Sequence, residues 1–167
     1  SSIPWQYLFT RGIVIFCLLN IYLFLNEGID FYKNYLKIGK AGIIGGIGLG
    51  SAMMCFIWSI TNTSAAITLL CLSAMPFITA FLGFLFLKEK VSNSVWIAIT
   101  VASAGVIIMA FGSATIGTIT GLLFGLASAV GFSIFSVSLR WKPETPKFTT
   151  VAFAGLFCFV FATIMIL

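Results

Sequence analysis

Few side chains in this sequence can do chemistry, and most of them stand at the edges of long apolar runs. There is no histidine, and Cys17, Cys55, Cys71 and Cys158 each sit alone within an apolar run, with no C-x-x-C pair. Metal sites need several His, Cys or carboxylate ligands at suitable spacing, so no metal and no cofactor is expected. No Asp or Glu falls mid-run, and no Ser or Thr has a nearby base, so the titratable set that catalysis requires is missing and an enzyme is not expected.

What remains is recognition chemistry. Arg11 follows Trp5 and Tyr7; its guanidinium either orients an anionic group such as a carboxylate or snorkels to headgroups beside an aromatic belt. Ser64, Thr68, Cys71, Met75 and Thr79 recur at three- and four-residue spacing, which puts them on one helix face. That face lines a cavity or hydrogen-bonds a neighbouring helix. Pro76, beside it, removes one helix hydrogen bond and crowds the preceding turn, so a kink is expected. Trp58 is a belt residue or a stacking wall, and Asn62 is a mouth residue or a turn cap. Glu89, between Lys88 and Lys90, is a solvated charge or an inner gate paired with a base such as Arg140.

The elements that position these residues follow from composition. The 167 residues are 60% hydrophobic and 8% charged, where a soluble domain carries about a quarter charged residues. Too few charges exist to cover a wet surface. Six apolar runs, near 7–25, 41–60, 64–87, 95–111, 119–141 and 149–167, approach the roughly 20 residues that cross a bilayer as a helix. None alternates like a barrel strand. The expected fold is an all-α integral membrane protein, a multi-helix bundle with six spans.

Orientation follows from the basic residues. All nine except Arg11 fall in three breaks: Lys33, Lys37 and Lys40; Lys88 and Lys90; Arg140, Lys142 and Lys147. Gaps 61–64 and 112–118 carry no charge. Every second loop of a multi-pass chain lies on the same side, and Lys/Arg collect on the cytoplasmic one. The charged breaks are therefore inside, the neutral gaps and Ser1 outside. The net charge of +5 then answers to the anionic inner leaflet, with no nucleic-acid partner. Six spans that begin outside end outside, so a complete chain is expected to carry one more span before Ser1.

Small residues recur at helical spacing: Gly42, Gly46 and Gly50; Gly117, Gly121, Gly125 and Ala129; and, more loosely, Ala98, Ala102 and Gly105. Such faces let helix backbones approach closely in lipid. They serve packing within one subunit or between two copies in a homodimer; their recurrence on several helices favours the former.

One constellation is more specific. Ser64-Ala65-Ala66 after a short turn, Pro76 mid-helix, Glu89 closing that helix, then Trp96 and a small-residue helix with Gly105, together with Arg11 in the first run, resemble the end of an EamA repeat of the drug/metabolite transporter superfamily. The resemblance implies ten helices in two five-helix repeats of opposite orientation. Residues 1–112 would be the first repeat lacking its first helix, and 113–167 the truncated start of the second. One helix before Ser1 and three after Leu167 would complete that template, and the first and sixth runs would be counterparts.

The function implied is a secondary transporter of the cell membrane, the bacterial inner membrane, that exports a small organic metabolite or drug-like solute by alternating access. The stripe from Ser64 to Thr79 would line the cavity, and Arg11, Trp58 and Asn62 its outer mouth. The alternative is a structural or assembly protein that binds partners through its glycine faces.

Overall fold

Lipid offers no partner to backbone N–H and C=O groups, so a chain this apolar satisfies them internally as helices. The computed structural model describes residues 3–28, 33, 36, 38–112 and 116–166. Among these the regular elements are all α-helices: α1 (Ile3–Glu27), α2 (Gly39–Asn62), α3 (Ala65–Ser73), α4 (Met75–Leu87), α5 (Asn93–Gly112), α6 (Ile116–Trp141) and α7 (Lys147–Ile166). Helices α3 and α4 form one broken crossing, Ala65–Leu87. Gln6–Asn26, Gly39–Asn62, Ala65–Leu87, Ile119–Trp141 and Lys147–Ile164 are long and apolar enough to span a membrane. Helix α5 has 20 residues, of which Asn93–Gly105 form a shorter apolar stretch. The all-α multi-pass architecture expected from the apolar runs is the one observed. Positions 113–115 of the expected neutral gap, and Asp30 and Lys37 of the first charged break, lie outside the described residues.

The contacts run in one sequence across the bundle. Helix α1 packs on α7, α7 on α2, α2 on α6, and α6 on both α3 and α4, with α5 at the edge. Same-side ends meet. At the charged end Tyr22 lies 5.5 Å from Phe148, ring to ring. At the neutral end Leu8, Ile57 and Ala162 cluster.

Glycine sets how closely α2 approaches its neighbours. Gly42, Gly46 and Gly50 face α7, where added Cβ atoms would meet Thr150, Phe153 and Phe157. Gly45 and Gly48, on a second face, meet Ser138 and Ile134 of α6. The tightest approach to backbone is at Gly131, where a Cβ would stand 2.6 Å from the Gly48 carbonyl oxygen and 2.8 Å from the Ala52 Cβ. Further along α6, Gly121 fits against Thr63, and Gly125 against Cys71 and Ser59. Gly105 differs from the expectation of a packing role. Among the described residues, nothing lies within 4 Å of where its Cβ would be; α5 is held elsewhere, by Trp96 edge-on to Phe81 and Phe84 at 6.1 and 5.7 Å.

Helices α1 and α7 cross through an exchanged contact. A Cβ on Gly12 would meet the Gly155 oxygen and the Phe159 nitrogen; one on Gly155 would meet the Gly12 oxygen and the Phe16 nitrogen. Each helix presents glycine and, four residues on, phenylalanine to the same pair on its partner.

The interior is small and partly polar, with Ser59, Thr68, Ser128, Ser133, Thr149 and Thr150 fully buried. Large apolar side chains such as Leu18, Leu25, Leu85, Phe86, Ile97 and Val101 face outward. In water this distribution would leave extended apolar patches; in lipid it is the stable one.

Replacing Gly131 by Ala forces a methyl into backbone and should cost about 1–3 kcal/mol, whereas Gly105→Ala, in open space, should be neutral or gain up to ~1 kcal/mol of helix stability. Thermal unfolding midpoints in detergent should therefore fall for the first variant and hold or rise for the second.

Candidate functional site

The site begins where the third crossing is interrupted. Ser64 starts α3 as its N-cap, its hydroxyl accepting from the Ile67 amide at 3.3 Å. Helix α3 ends at Ser73, the chain passes through Ala74, and α4 restarts with Pro76 in its first turn. Proline is tolerated there because first-turn amides have no intrahelical acceptor. The expected kink appears as a one-residue break at Ala74, midway along the crossing, where the backbone stays in the right-handed helical region (φ −75°, ψ −12°). Helix α6 holds it: the Ser133 hydroxyl lies 3.1 Å from the Met75 carbonyl oxygen and 2.8 Å from that of Ala129.

Below the interruption, towards the charged end, lies a cavity of about 550 Å³. Met75, Pro76 and Thr79 of α4 form one wall, Ser136 and Arg140 of α6 another, and Glu89, Lys90 and Ser92 the mouth. The Thr79 hydroxyl is buried and has no hydrogen-bond partner among the described residues. The Ser136 hydroxyl returns to the Phe132 carbonyl at 3.1 Å.

An ion pair between Glu89 and Arg140 lies at the rim of this open cavity and joins residues 51 positions apart in sequence. Local backbone geometry makes it possible. Lys88 ends α4 in the left-handed conformation, φ 55°, which turns the chain so that the Glu89 amide bonds back to the Gly83 carbonyl at 3.3 Å. The carboxylate then lies over Gly83, where a Cβ would stand 2.8 Å from its Oε2. The side chains of Arg140 and Glu89 are 48% and 34% exposed. At such exposure an ion pair is worth roughly 0–1 kcal/mol, weak enough to break and re-form.

The structure sorts the residues singled out in the sequence into three groups. Met75, Pro76, Thr79 and Glu89 come together around the cavity. Ser64, Thr68 and Cys71 do not line it. Ser64 caps, the Thr68 hydroxyl is 2.8 Å from that of Ser59, and the Cys71 thiol points to the Leu122 carbonyl at 3.9 Å. The stripe thus divides at Pro76 into an outer half that hydrogen-bonds helices together and an inner half that faces a cavity. Trp58 and Asn62 are exposed at the neutral end; Trp58 packs on Phe124 at 5.9 Å, and the Asn62 amide donates to the Trp58 carbonyl at 2.8 Å rather than capping α3. Arg11 is half-buried on α1, and neither it nor Trp58 nor Asn62 lines the cavity. The outer mouth expected around these three residues is not joined to the inner cavity.

Sequence reasoning passed over Gly83, Ser133 and Ser136. A glycine six residues before Glu89 was the available signal for the first; the two serines became visible only once α6 was placed against α4.

The profile of the EamA-like transporter family matches residues 2–111. The chain is also 27% identical over 140 residues to an uncharacterized transporter of Helicobacter pylori. That match covers 82% of this chain and 46% of the relative, so the chain spans about half the relative's length. No solved structure matches.

Removing the ion pair should widen access to the cavity with little effect on stability. In a background with the four native cysteines replaced by alanine, Thr79→Cys should react slowly with a membrane-impermeant thiol reagent added at the charged end. Adding Glu89→Gln should speed that reaction several-fold, while the unfolding midpoint changes by no more than ~1 kcal/mol allows.

Proposed function

The chain belongs to the EamA-like transporter family, and we propose that it is part of a secondary transporter that exports a small organic metabolite or drug-like solute across the bacterial inner membrane by alternating access. The observation that carries this reading is the inner cavity, which runs from the break at Ala74, midway along the third crossing, to a breakable ion pair at its rim. Interrupted helices at that depth are tolerated where they line a cavity, and in transporters they commonly do.

Glu89 follows the last-but-one crossing of residues 1–112, and Arg140 ends the first crossing of residues 113–167. Their pairing ties the two units together at the inner face. Separation of α4 from α6 would open the cavity inward, and re-pairing would close it. The exchanged glycine contact between α1 and α7 supports the inverted-repeat relation that the family resemblance implies, with α1 and α7 as counterparts. In this arrangement the inner half of the polar stripe meets the solute, Thr79 offers a free hydroxyl, and Glu89 with Arg140 acts as the inner gate. Arg11, Trp58 and Asn62 remain candidates for an outer vestibule.

Charge reversal tests the gate. Uptake of a radiolabelled panel of amino acids, nucleobases and cationic dyes into inverted vesicles should be protein-dependent for at least one compound. Glu89→Arg and Arg140→Glu should each lower that flux about tenfold or more, and the double exchange should restore much of it, because coupled charges are non-additive. Equal flux in all four proteins would remove the gate. A panel with no protein-dependent flux would remove transport of these solute classes.

A further inference from the structure

A second groove, of about 580 Å³, opens between the inner ends of α2, α4 and α6. Its size falls in the ~300–1,000 Å³ range of small-ligand sites, but its chemistry differs from that of the gated cavity. Ile44, Leu82, Phe86, Ile134, Val137 and Trp141 line it. The hydroxyl among its walls, that of Ser138, is already bonded to the Phe135 carbonyl at 2.8 Å. Such a surface takes a hydrocarbon chain, not a polar solute.

Each of the three helices carries a lysine close in sequence to a lining residue at the charged end, though none of these lysines lines the groove itself. Lys40 lies one helical turn before Ile44 and on its face, Lys88 directly follows the lining residue Leu87, and Lys142 directly follows Trp141. All three are exposed. Of the nearby acids, Glu89 is held by Arg140 and Glu144 is exposed in the turn after Lys142. An apolar slot with three exposed lysines at the helix ends around it, on the charged side of the bundle, complements an anionic lipid headgroup above its own acyl chain.

We propose that this groove binds one anionic phospholipid of the inner leaflet, its acyl chain between α2, α4 and α6 and its headgroup held by Lys40, Lys88 and Lys142. Trp141, exposed beside Lys142, sits at the depth where aromatic rings favour the headgroup boundary. The turn that carries Lys88 also carries Glu89, so the bound lipid lies beside the gate.

The test is lipid retention by the protein purified in mild detergent with equal phosphatidylglycerol and phosphatidylcholine, read by native mass spectrometry. Phosphatidylglycerol should be retained preferentially. The combined variant K40Q, K88Q and K142Q should keep its helical circular dichroism and lose that preference about tenfold or more. Ile134→Trp should fill the slot and reduce retention of both lipids. Equal retention of the two lipids by the unaltered protein, or unchanged preference in the lysine variant, would overturn the proposal. So would cross-linking of Leu82→Cys to another protein segment or a second copy, since the slot would then have a different occupant.

Discussion

Charge is costly in hydrocarbon, and this chain is arranged so that almost none of it is there. A lysine or carboxylate at the centre of a membrane helix costs several kcal/mol. Apart from Arg11, which lies within α1, the described charges respect that cost: Lys40, Lys88, Glu89, Lys90, Arg140, Lys142, Glu144 and Lys147 lie at or near helix ends. Because crossings alternate, these residues collect at one end of the bundle. The ion pair, the cavity it borders and the apolar groove between α2, α4 and α6 all stand at that end. The neutral end is built instead from hydroxyls and amides, as in Ser59 with Thr68 and Asn62 with Trp58.

Within the membrane the constraint becomes one of distance. Lipid removes the hydrophobic drive for helices to associate, so contact depends on close packing, and close packing depends on small residues. Helix α2 carries glycine on two faces and so lies between α6 and α7. The position of α6 then decides where α4 can sit, through Ser133 at the Met75 carbonyl and Arg140 at Glu89. Removing backbone bulk at Gly48 and Gly131 thus acts on the cavity from a distance. It does so by placing one helix and not through any side chain that touches solute.

The fold was largely legible because lipid enforces simple rules. Runs of about 20 apolar residues, broken by Lys/Arg or by neutral turns, located the crossings and their order. The broken third crossing was legible from Pro76, and the glycine spacing on α2 predicted one of its two packed faces. The site was legible only in part. Met75, Pro76, Thr79 and Glu89 share a wall because they share a helix and its end, which periodicity reveals. Ser133, Ser136 and the partnership of Arg140 come from α6, and one-dimensional spacing says nothing about which face of a distant helix turns towards them. Thr68 and Cys71 have the same periodicity as Thr79, yet α2 and α6 cover them, so their polar groups bond to helices. Gly105 shows the reverse case: small-residue spacing was present, but no described helix approaches it. Lys88 carried no signal for its left-handed conformation, which glycine more often supplies.

The gate, the cavity and the lipid groove all require that the charged breaks share one compartment and the neutral turns the other. Single cysteines at Thr61, Lys88 and Lys142, probed with a membrane-impermeant thiol reagent in intact cells and in inverted vesicles, measure this directly. The result expected is labelling at 88 and 142 only in inverted vesicles, and at 61 only in intact cells. Labelling of 88 and 142 from opposite sides would contradict the topology on which the site rests.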